Sequence, residues 1–199
     1  MHGQHLPLAD GRAAAGLAAV QRLAKVDPDA ELDGLLRSVS AGTGGWHEGE
    51  EMNPPAARQI TLRGGSTDGF LARKLTSAQL DEADLILTAT ADQSDYVHAL
   101  APGVTARTFV LGHLSRLLRE VEVKSLPPAG THPETFAARA AALVAAADRR
   151  RGETEPLPGD DLDDPWGRGD QTFQRIADDI DEAVYALVDA LLPAAPRRA

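Results

Sequence analysis

The sequence contains no cysteine. That removes disulfides, cysteine-ligated zinc and any thiolate nucleophile from the chemistry open to this 199-residue chain. Also missing is an apolar run near the roughly 20 residues that span a bilayer, and the first residues lack the charged-then-apolar pattern of a secretory signal. Positive charge is in short supply: 30 Asp and Glu stand against 20 Lys and Arg, a formal charge of -10, with a pI near 5.0. A balance of that sign argues against a nucleic-acid or anionic-membrane partner. Lysine is scarce, being confined to Lys25, Lys74 and Lys124. Together with the abundance of alanine, this points to a GC-rich bacterial gene and, by default, a cytoplasmic protein.

Other absences narrow the field further. His2, His5, His47, His98, His113 and His132 show no metal-ligand spacing, so no metal is expected. Gly42, Gly44, Gly45 and Gly49 do not form a dinucleotide fingerprint, because no helix and acidic strand end follow them. No cofactor is expected, and no internal repeat is visible.

What is present suits an ordinary globular domain. Apolar residues make up 43% of the chain, the mean hydropathy is -0.25, and the length supports one core. We expect a single domain over residues 1–192, with an insertion near 120–160 and a disordered tail over 193–199.

In chain order, apolar spacing predicts a helix over 8–25, ended by Asp27-Pro28-Asp29. Residues 36–40 are expected to form a strand that breaks into Ala41-Gly42-Thr43-Gly44-Gly45, with Trp46, His47 and Glu48 on the emerging loop. Asn53-Pro54-Pro55 should start a helix to about Arg63, with Gly64-Gly65 as its exit. Thr76-Ser77-Ala78-Gln79 is a capping-box pattern for a short helix. Residues 85–90 and 107–111 are predicted strands, each followed by a helix, over 92–100 and 112–118. A further helix is expected over 131–151, an acidic loop over 153–170, and a strongly amphipathic helix over 171–192. Alternating strands and helices with short connections argue for an α/β sandwich with a parallel sheet.

Several of these stretches carry a resemblance. Ser40-Ala41-Gly42-Thr43 with Trp46 and Gly49, Phe70-Leu71-Ala72-Arg73-Lys74-Leu75-Thr76, residues 83–90, Thr108-Phe109-Val110-Leu111 and Asp164-Pro165-Trp166-Gly167 occur in an order that resembles the low-molecular-weight protein tyrosine phosphatases. The resemblance implies a three-layer α/β sandwich of the phosphatase I type, with a small parallel sheet flanked by helices. It also implies phosphomonoester hydrolysis, of phosphotyrosine above all, through a phospho-cysteine intermediate. In that chemistry a Cys-x5-Arg loop cradles phosphate on backbone N–H groups at a helix N-terminus. An aspartate on the Asp-Pro loop then protonates the leaving group. The position matching that acid is Asp164, and Trp46 and Trp166 match the aromatic cleft walls.

The departure from the family pattern lies at the N-terminus. Pro7-Leu8-Ala9-Asp10 resembles the start of the family's first helix, which places Met1 to Leu6 where the phosphate loop belongs. The nucleophilic cysteine, the phosphate-binding arginine and the first strand are then missing or replaced. The resemblance thus implies a chain inactive as written. Two alternatives stand beside it: a non-catalytic binding or regulatory module on a phosphatase fold, and an N-terminally truncated product of an active phosphatase. If active, its partner would be a phosphorylated protein or a small phosphoester.

Overall fold

The computed structural model describes residues 35–192. The expected helix over 8–25, the Pro7-Leu8-Ala9-Asp10 match and the tail over 193–199 lie outside those residues.

The elements follow local chemistry closely. Helix α1, Pro54–Leu62, begins at Asn53 with prolines at its first two positions, and Gly64 beyond its end has φ 79. The Asn53 side chain makes no capping hydrogen bond, however. Proline at the second helical position has no N–H to give it. Helix α2, Ser77–Asp81, carries the expected capping box between Thr76 and Gln79. Strand β1, Ile86–Thr88, is shorter than expected because Thr90 already caps helix α3, Ala91–Leu100, while Gln93 Oε1 accepts the Ala89 N–H at 2.9 Å. A 3-10 turn, Pro102–Arg107, leads into strand β2, Thr108–Val110, and helix α4, Leu111–Glu120. Helices α5, Pro133–Arg151, and α6, Asp170–Leu191, complete the described set.

Strands β1 and β2 pair in parallel, Ile86 with Thr108, Leu87 with Phe109 and Thr88 with Val110. Residues on alternate faces of the sheet enter different cores. Ile86 joins Leu80, Val97, Ala101 and Val104 on one side. Leu87 and Phe109 meet the larger core of α4, α5 and α6, which includes Leu117, Leu143, Ile176 and Val184. The fold is α/β, a small parallel sheet flanked by helices.

One expected strand does not form. Residues 36–40 are not a strand; pairing starts only at Gly42, an isolated parallel bridge to Lys74. A strand exists through its ladder, and among the described residues β1 pairs with β2 alone. The anchoring of this segment comes instead from Leu35 and Leu36, which pack against the larger core. Within the stretch over 120–160, α5 places Phe136, Leu143 and Ala147 in that core.

The acidic face of α6 ties elements together. Arg63 bridges from α1 to Asp178 and, at 2.7 Å, to Asp181, while Arg119 of α4 pairs with Glu182. Arg139, buried in α5, donates to the carbonyls of Ala190, at 2.7 Å, and Pro127. Burial pulls its guanidinium below the ordinary arginine range.

Candidate binding cleft

The glycine-rich stretch after residue 40 is held open as a loop by backbone pairing to residues 72–75. Gly42 donates to the Arg73 carbonyl at 2.9 Å and accepts from Leu75 at 2.8 Å. Further along, Gly49 donates to the Ala72 carbonyl and Ala72 donates to Glu50, both at 2.8 Å. Gly49 does so at φ 83, a conformation that disfavours side chains with a Cβ. That conformation is the physical reason for a glycine three residues after Trp46.

Opposite this loop stands the Asp-Pro-Trp segment. The Asp164 carboxylate accepts the Trp166 N–H at 2.9 Å, and Arg168 closes a turn on Pro165 through Gly167 at φ 71. Such side-chain-to-backbone bonding is typical of aspartate in turns. Asp164 is half-buried and Pro165 is buried. The result sets Trp166 against His47, with ring centroids 5.9 Å apart at 41°. His47 in turn meets Glu50 through Nδ1 at 2.6 Å.

Between loop and turn lies a cavity of about 440 Å³. Met52, Ala56, Phe70 and Phe173 supply apolar lining, Trp166 and His47 one wall, and Ser40 a hydroxyl. Glu48, Glu50, Glu51 and Arg73 bring charge to it. Trp166 is therefore part of the cavity wall, and Asp164 holds the turn that carries it. Trp46, 73% exposed, is not among the lining residues; its neighbour His47 takes that place. Among the described residues no group of His, Asp and Glu is arranged to hold a metal, and no helix is long and apolar enough to cross a membrane.

The Asp-Pro-Trp loop is fixed from behind by residues that sequence patterns did not single out. Arg116 of α4 grips Asp160 with two bonds, Nε to Oδ1 at 2.7 Å and Nη2 to Oδ2 at 2.6 Å, and donates to the Glu155 carbonyl at 2.8 Å. Asp160 also accepts the Leu157 N–H at 2.7 Å. Burial by itself pushes the Asp160 carboxyl up. Hydrogen bonds from Arg116 and Leu157, with the charges of Arg116 and His113, more than reverse this and hold it below the ordinary carboxylate range. His113 Nε2 lies 2.9 Å from the Thr154 carbonyl, an oxygen that only accepts, so that nitrogen carries the proton.

Two further bonds seat the loop at the end of β1. Leu162 donates to the Ala89 carbonyl, and Asp161 accepts the Ala91 N–H, each at 2.9 Å. Crevices outside the carboxyl ends of parallel strands are where open α/β sheets bind ligands. Gly112 allows the closest approach: a Cβ there would stand 2.4 Å from the Asp160 carbonyl oxygen. Within an acidic run, nothing in the sequence separates Asp160 from Asp161, Asp163 and Asp164. The helical glycine next to a strand end was the one available signal.

Comparison with known proteins places the chain among the phosphatases. The sequence profile of the Low molecular weight phosphotyrosine protein phosphatase family matches residues 14–149. The low molecular weight protein-tyrosine-phosphatase YfkJ of Bacillus subtilis is 36% identical over 98 residues, which cover 48% of this chain and 58% of that protein. A low molecular weight protein-tyrosine-phosphatase of Streptomyces coelicolor is 35% identical over 74 residues, 37% of this chain and 44% of that protein. The chain thus matches about half the length of these relatives. Among solved structures, a mutant of YwlE from Bacillus subtilis superposes with a TM-score of 0.58 at 16% identity, over 94% of this chain and 90% of that one. At that identity the likeness is one of fold.

Proposed function

The chain belongs to the low molecular weight phosphotyrosine protein phosphatase family, and from that premise we propose that it keeps the family's cleft without the family's thiolate chemistry. One observation carries the reading: the 199 residues include no cysteine. A phospho-cysteine intermediate needs a thiolate, and a weaker nucleophile needs a base to activate it. Of the lining residues Ser40 has a hydroxyl, but the imidazole at hand, His47, is engaged by Glu50 and Trp166. Asp164 is the candidate general acid wherever a nucleophile is supplied, and phosphorylated proteins or small phosphoesters are then the substrate class. Trp166 is the cleft wall and Trp46 flanks it.

The test is hydrolysis of an aryl phosphate by the purified 199-residue chain. The expected result is release of phenolate no faster than in buffer. Turnover that survives thiol alkylation and disappears in Asp164→Asn would overturn the reading.

A second reading, a non-catalytic binding module, is favoured by the formed cavity with its aromatic wall. The truncated-product reading makes a separate demand. Intact mass of the endogenous protein would then reveal a longer chain carrying a Cys-x5-Arg loop, and that longer chain would hydrolyse the aryl phosphate.

A further inference from the structure

The two walls of the cleft are carried by different parts of the fold. On one side, the loop over 42–50 is pinned to residues 72–75, and the Ala72 N–H fixes the Glu50 carbonyl at 2.8 Å. The Glu50 carboxylate then meets His47 Nδ1 at 2.6 Å. A carboxylate only accepts, so Nδ1 carries the proton and the rotation of the ring is restricted. On the other side, the chain hangs between two anchors. Leu162 bonds the Ala89 carbonyl beyond β1, and Asp170, the first residue of α6, pairs with Arg58 of α1 at 2.6 Å. Asp163 adds a pair with Arg175, exposed and therefore weak. Trp166 stands midway along the span between those anchors, 61% exposed.

The two rings join the walls. Their centroids are 5.9 Å apart and tilted at 41°, within the range of attractive aromatic pairs. Each ring is followed by a glycine at positive φ: Gly49 at φ 83, two residues after His47, and Gly167 at φ 71, next to Trp166. A Cβ at either glycine would meet nothing within 4 Å, so neighbours do not wedge these turns in place. Glycine between fixed points supplies the backbone freedom that a hinge uses. Both rings also line the cavity, together with Met52, Phe70 and Phe173. A single contact between two partly exposed rings is weak enough to break and reform.

We propose that His47 and Trp166 form an aromatic latch on this cleft. Rings in contact hold the Asp-Pro-Trp turn against the glycine-rich loop and narrow the entrance. Rings apart let the turn swing on Gly167 and admit a ligand. Asp164 rides on the same turn through its bond to the Trp166 N–H at 2.9 Å, so the latch also sets where the candidate acid stands. The proposal rests on the contact between the two walls and stands apart from whether the chain turns over phosphoesters.

Because the chain has no cysteine, Glu48→Cys and Arg168→Cys, both at exposed positions, put spin labels on the two walls and nowhere else. Electron spin resonance then reads the distribution of distances between them. A dominant short-distance population is expected in the labelled chain. His47→Ala in that background should lower it about threefold, the shift that loss of one aromatic pair produces. Trp166→Ala should do the same from the other side, and His47→Phe, which keeps a ring, should retain most of it. If one alanine variant fails to fold by circular dichroism, the other carries the test. Acrylamide quenching in a Trp46→Phe chain, where Trp166 is the remaining indole, gives a second reading: His47→Ala should raise the quenching constant.

A short-distance population that survives the alanine substitutions, or quenching that does not change, would overturn the proposal, because the walls would then be held by something else. Equal loss in His47→Phe and His47→Ala would also overturn it, since the ring would not be the latch. So would a broad distribution before any substitution, since the turn would not be held closed.

Discussion

Asp160 shows how one side chain sets the position of a candidate site without lining it. Its carboxylate is 5% exposed, is held by both forks of Arg116 and by the Leu157 N–H, and titrates below its ordinary range. A group whose folded pKa is depressed stabilises the fold above its unfolded pKa and loses that contribution as pH falls through the folded value. We therefore expect Asp160→Asn to cost about 2 kcal/mol at pH 7, as for a lost charge-assisted hydrogen bond. The difference from wild type should shrink as pH falls below about 4. Urea denaturation at a series of pH values measures this, and a gap that stays constant on acidification would contradict it. Sequence reasoning singled out Asp164 and Trp166 through their resemblance to the family's Asp-Pro-aromatic loop. It passed over Asp160 because burial, which distinguishes this acid from its neighbours, leaves no trace in a run of exposed aspartates.

Helix α4 and the loop over 153–164 form one mechanical unit, and Gly112 is where they touch. The Asp160 backbone occupies the space a methyl group would need. Gly112→Ala should therefore destabilise the protein by about 1–3 kcal/mol, the usual cost of overpacking. It should also speed amide exchange over residues 161–166 by lifting the loop from β1. Loss of stability with unaltered exchange there would place the strain elsewhere.

At this scale the helices were the legible part. The spacing of Phe173, Ile176, Ile180, Val184 and Leu191 marks the buried face of α6, and the Thr76–Gln79 box marks the start of α2. The 3-10 turn Pro102–Arg107 was not anticipated, although the end of α3 at Leu100 falls where the sequence placed it. The strand expected over 36–40 failed for a different reason. Its residue types suit a strand, but strands need partners, and pairing is a property of the rest of the chain.

Over the whole molecule, the order of strands and helices was enough to state an α/β fold with a parallel sheet, because parallel neighbours require crossover helices. The cavity was not legible. It depends on residues 40–56, 70–73 and 165–173 meeting in space, and no local pattern links those stretches. The stacking of His47 on Trp166 was likewise not legible, since no local pattern links those two rings. At this scale too, the chain belongs to the family and its 199 residues include no cysteine.

The most direct measurement is rapid-quench mass spectrometry of the 199-residue chain mixed with excess aryl phosphate. The account predicts an unchanged intact mass at every time point, since no cysteine is available to accept the phosphoryl group. A transient covalent phosphoryl adduct on any residue of this chain would contradict it.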